Sequence, residues 1–81
     1  MDRRWPAGYD LRVTLTIELD REEDGRYIAE VLELPGVLAY GSSEPEALAA
    51  VKALALRVLA DRLEHGELDA SASSVTFDRA A

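Results

Sequence analysis

The stretch from Tyr27 to Leu48 constrains this chain more than any other. Tyr27-Ile28-Ala29-Glu30-Val31-Leu32 forms a strand-like run, Pro35-Gly36 a turn pair, and Val37 to Tyr40 a second short strand; Gly41 then breaks the pattern and Ser43-Glu44-Pro45-Glu46 opens a long helix. Proline presets φ at the first central position of a type II turn and glycine accepts the positive φ of the next, so two strands meet at Pro35-Gly36. Ser43 and Glu46 have capping-box spacing, which predicts that Ser43 accepts from the Glu46 amide while the Glu46 carboxylate reaches back to the Ser43 amide. Pro45 falls in the first helical turn, where it removes no hydrogen bond.

Upstream, Leu11, Val13, Leu15, Ile17 and Leu19 alternate with Arg12, Thr14, Thr16, Glu18 and Asp20. This period of two predicts a strand with its odd face buried and its even face wet. A charged connection follows, with Asp24-Gly25 supplying hairpin turn chemistry before Tyr27. Asp20, Glu22, Asp24 and Gly25 match four positions of a calcium loop, but Val31 stands where the bidentate glutamate belongs, so a solvated hairpin tip is expected. In the second strand Tyr27, Ala29 and Val31 share one face and Ile28, Glu30 and Leu32 the other. In the third, Val37 and Ala39 oppose Leu38 and Tyr40.

From Glu44 to His65 the helical period places Leu48, Val51, Ala55, Val58, Leu59 and Leu63 on one stripe, with Leu54 and Leu56 at its borders. Arg57, Asp61 and Glu64 lie opposite. His65-Gly66 ends the helix, glycine serving as its left-handed cap. Residues 67–74 read as a polar connection, and Val75-Thr76-Phe77 as a short strand at a sheet edge. Residues 1–10 read as an irregular arm in which Trp5 can staple onto the body or a neighbour.

Taken together, Tyr27, Ala29-Glu30, Leu34-Pro35-Gly36, Gly41, Ser43 and Glu46-Ala47-Leu48 form a pattern that resembles the HicB-like antitoxin domain, over residues 11–66. The resemblance implies a single α+β domain over residues 1–81: an antiparallel three- to four-stranded sheet with one long helix packed on one face, in the order β-β-β-α-β, similar to part of an RNase H fold. It implies that Tyr27, Ala29 and Val31 face the core. Ile28, Leu32, Leu38 and Tyr40 then form an apolar cluster on the uncovered face, with Glu30 among them, and these five residues are the candidate interface with a partner or a second copy. HicB-like proteins usually bind a small HicA-type toxin and keep it from cutting mRNA. Many add a C-terminal DNA-binding domain, for which the fifteen residues after Gly66 are too few. An antitoxin of this kind neutralises its toxin without repressing transcription itself. The alternative is an orphan member of the family with no toxin, persisting as a homo-oligomer.

Composition favours a binding module over an enzyme. The 9 Lys+Arg against 16 Asp+Glu give a net charge of -7, which opposes contact with nucleic acid and favours a basic partner. An 81-residue chain buries only about 60 to 65% of its unfolded surface, so association is a natural way to gain burial. With no cysteine there is neither disulfide nor thiolate site, which fits a cytoplasmic location. No signal peptide or membrane span is expected. Metal-dependent phosphodiester cleavage needs clustered carboxylates. The polar face of the first strand carries Thr14 and Thr16, with Glu18 and Asp20 at its far end. His65 is the sole histidine, and the serines lack a base at any recognisable spacing. No catalytic, metal or cofactor residues are therefore assigned.

Overall fold

A computed structural model describes residues 11–69 and 72–80. The element order is β1 (Leu11–Arg21), β2 (Tyr27–Val31), β3 (Leu38–Gly41), α1 (Glu44–Glu64) and β4 (Ala72–Arg79). This is the α+β architecture, β-β-β-α-β with one helix, that the sequence predicts. The strands lie in the order β3-β2-β1-β4. β1 pairs antiparallel with β2, and β2 antiparallel with β3. β4 pairs with β1 in parallel, so the sheet is mixed, and the direction of this strand is the one departure from an all-antiparallel sheet. The helix is the crossover that makes it possible: it carries the chain back along the sheet, so β4 sets out in the same direction as β3. β4 is also longer than Val75-Thr76-Phe77, because β1 offers it a ladder from Leu11 to Ile17, interrupted by one irregularity between Leu11 and Arg12.

The turns follow the local chemistry. In the β1–β2 connection the Gly25 amide donates to the Glu22 carbonyl at 2.9 Å, closing the hairpin tip. Between β2 and β3 two turns follow one another: the Leu34 amide donates to Val31 and the Val37 amide to Leu34, at 3.2 and 3.0 Å. Gly36 has φ of 86°, the left-handed value that a type II turn asks of its second central residue. At the start of α1 the Glu46 amide donates to Ser43 Oγ at 3.2 Å, as predicted. The other half of the capping box is replaced, since the Glu46 carboxylate accepts from the Ser42 hydroxyl at 2.7 Å. At the far end the Glu67 amide donates to Arg62 and the Gly66 amide to Leu63, a Schellman closure with Gly66 at φ 71°.

The core lies between α1 and one sheet face. Leu15 and Ile17 enter it from β1, Ala29 and Val31 from β2, Leu34 and Val37 from the double turn, and Ala47, Val51, Ala55 and Leu59 from α1. Ile17, Val31 and Val51 are wholly buried, and each contributes about 2 kcal/mol of transfer free energy. Tyr27, Leu48, Leu54, Val58 and Phe77 pack partly against this cluster. The predicted helical stripe shifts in two places. Ala47 is completely buried, because α1 crosses the end of β3 at Gly41, where a side chain would meet the Ala47 backbone. Leu63 is 47% exposed. The 21-residue helix is about 31 Å long, whereas five-residue β2 covers about 17 Å and four-residue β3 less, so the last turns of α1 outrun these two strands.

Candidate functional site

The face of the sheet turned away from α1 is built by the even-numbered residues of β1, β2 and β3. Strand pairing arranges them in rows. Asp20 stands opposite Ile28, and Ile28 opposite Tyr40; in the next row Glu18 stands opposite Glu30, and Glu30 opposite Leu38. Leu32 follows at the end of β2, where its amide donates to the Thr16 carbonyl at 2.9 Å. The structure thus brings the five candidate residues together on one face. Leu32, Leu38 and Tyr40 are 47%, 38% and 44% exposed, and Ile28 and Glu30 are half-buried between their neighbours. The Trp5 arm, the one segment of the chain expected to be able to cover them, lies outside the described residues.

Acidic side chains meet at the centre of this face, and a basic one stands at its corner. Glu18 directly faces Glu30, and like charges across a strand pair are destabilising. A cation placed above the pair would remove that repulsion. On the β4 side Asp78 is opposite Thr16. At the other corner the Arg26 guanidinium lies 4.6 Å from the Tyr40 ring centroid, within cation–π range. Arg26 is itself held by Asp24, with Nε 2.7 Å from Oδ2. The Arg26 amide, with help from the guanidinium, holds the Asp24 carboxyl below its ordinary value.

Glu33 ties the double turn to β1. It lies beyond the end of β2, in the double turn, and its carboxylate spans Thr16: Oε1 accepts from the Thr16 amide and Oε2 from the Thr16 hydroxyl, both at 2.7 Å. Where β2 turns away from β1, a side-chain carboxylate takes the place of the strand partner. The Thr16 amide, and after it the hydroxyl, holds Glu33 below its ordinary carboxylate value. A carboxyl with a lowered folded pKa contributes stability that is present above its unfolded value of 4.5 and lost as pH falls through the folded value. Glu33→Gln is therefore expected to cost about 1 kcal/mol at pH 7, since the bonds are charge-assisted but exposed. Urea unfolding of both proteins across the acid range checks this: the difference should close once Glu33 is protonated, and a difference independent of pH would mean that the carboxylate charge contributes nothing.

Among the described residues, no group of three or more His, Asp or Glu side chains is placed to hold a metal ion. The acids of the open face stand in rows along the strands, facing solvent. His65 sits at the helix C-cap, with Nδ1 2.8 Å from the Asp61 carbonyl oxygen. No helix among the described residues is long and apolar enough to cross a membrane.

No family model, curated protein or solved structure matches the chain.

Proposed function

We propose that the chain is a protein-binding module of the antitoxin kind, which uses the open face of its sheet to sequester a small basic HicA-type mRNA-cleaving toxin. The observation that carries this reading is the composition of that face. Leu32, Leu38 and Tyr40 form an exposed apolar patch with Ile28, bordered by Glu18, Asp20 and Glu30. An apolar centre supplies the area that binding buries, and acids around it select a basic partner and speed its approach. Glu18 and Glu30, opposite one another on neighbouring strands, favour a cationic side chain at the centre of the contact. The β-β-β-α-β order with one helix agrees with the fold that the HicB-like resemblance implies.

The test is an RNA-cleavage assay with a HicA-type ribonuclease encoded beside this chain. Adding the purified chain in equimolar amount is expected to stop cleavage, and a variant with Leu38→Glu and Tyr40→Glu is expected to leave it running. Equal inhibition by both proteins would place the contact elsewhere. No inhibition by either would overturn the antitoxin reading.

A further inference from the structure

The two edges of the sheet are unequal. On the open face β4 carries polar Ser74, Thr76 and Asp78. Its Arg79 guanidinium reaches Glu44 at 3.9 Å. β3, at the other edge, is Leu38-Ala39-Tyr40-Gly41, with no charge and no proline, and it holds one unbroken register with β2. Exposed edges normally carry such a charge, proline or bulge to prevent pairing with another chain. Among the described residues, β3 is protected by its shortness and by α1 across its Gly41 end, and by none of these devices.

The hydrogen-bond phase of β3 identifies what can pair there. The Val31 amide donates to the Val37 carbonyl at 3.0 Å, in register with the pairs Ala29–Ala39 and Tyr27–Gly41. Odd-numbered residues therefore direct their amides and carbonyls inward to β2, and Leu38 and Tyr40 direct theirs outward. A strand whose two outward-facing residues flank a central one is complementary to itself about a two-fold axis.

We infer that β3 pairs antiparallel with β3 of a second copy about a two-fold axis at Ala39, joining two four-stranded sheets into one. Leu38 of each copy then exchanges both backbone hydrogen bonds with Tyr40 of the other. On the open face each Leu38 side chain packs beside a Tyr40 ring, so the two apolar patches become continuous. Charge selects this edge. A chain of net charge -7 repels its own copy, and β3 brings the two sheets together through a strand without a charged side chain. The pairing does not rest on the antitoxin reading: it needs no toxin, and it leaves Ile28 and Leu32 uncovered.

The chain has no cysteine, so single thiols report the geometry cleanly. At the two-fold axis the Ala39 pair is not hydrogen-bonded, and its Cα atoms stand about 4.5 Å apart, within disulfide range. Ala39→Cys is expected to give a covalent dimer on mild oxidation, while Leu32→Cys, on the same sheet but away from the edge, remains monomeric on a non-reducing gel. Leu38→Pro removes an outward amide without touching the β2 ladder. By sedimentation equilibrium it is expected to be a monomer, whereas Leu38→Ala, which keeps the amide, remains a dimer. Circular dichroism separates this result from unfolding. Cross-linking through Leu32→Cys, cross-linking at neither position, or a folded dimer of Leu38→Pro would overturn the inference. A toxin that is not inhibited would leave it standing.

Discussion

Gly41→Ala is expected to destabilise the chain by about 3 kcal/mol and to lower Tm by roughly 15 °C, more than alanine at any other described glycine. The cause is steric. A Cβ at Gly41 would stand 2.9 Å from Ala47 Cα and would press on the Ala47 amide nitrogen, and both are backbone atoms of the first helical turn that cannot swing aside. The helix would have to lift from the end of β3, opening the contact that buries Ala47 and Val51. Gly36→Ala is the control. It meets nothing within 4 Å but has φ of 86°, so its cost is conformational, about 1 kcal/mol. Thermal unfolding of the two variants separates the mechanisms, and equal losses would mean that the close approach of α1 to β3 is not what Gly41 serves.

The second large effect is on binding. The double substitution Leu38→Glu and Tyr40→Glu should weaken complex formation with a basic toxin at least 100-fold while leaving the fold intact. Two exposed apolar anchors are lost, each worth about 2 kcal/mol at a well-packed contact, and about 1.4 kcal/mol corresponds to tenfold in affinity. Neither side chain belongs to the buried core, so Tm should move by only a few degrees. The same variant should lose self-association, because the carboxylates introduced at positions 38 and 40 would face one another across the two-fold axis, and like charges directly opposite repel. Isothermal titration and a melting curve on one sample decide the point. Collapse of the fold would mean that these side chains hold the domain together.

What could be read from the sequence depended on how much of each element's pattern is local. The unbroken alternation of β1, the Pro35-Gly36 turn, the Ser43 cap and the Gly66 terminus each follow from residues within a few positions of one another, and each is found where expected. The same period of two separates the two faces of β2 and β3, whereas which of them is the core side came from the family resemblance. Contacts between distant segments were not legible. Ser73 and Ser74 of β4 read as a polar connection because they bring little hydrophobic pattern; what makes them a strand is the ladder offered by β1, at the opposite end of the chain. The span of Glu33 onto Thr16 depends on β2 stopping at Val31, and nothing in either segment announces it. Ala47 is easily passed over as a small helix former, yet its size is what lets α1 descend onto Gly41. In the candidate site, Leu38 and Tyr40 were recognisable as apolar residues on the wrong face, whereas the Glu18–Glu30 juxtaposition required the register of β1 on β2.

Sedimentation equilibrium of the purified chain with a HicA-type ribonuclease is the decisive test of the role proposed for the open face. A stable mixed complex is expected, and it should disappear when Leu38 and Tyr40 are replaced by glutamate. A toxin that sediments apart from the folded wild-type chain, at concentrations well above those at which it cuts RNA, would contradict that role.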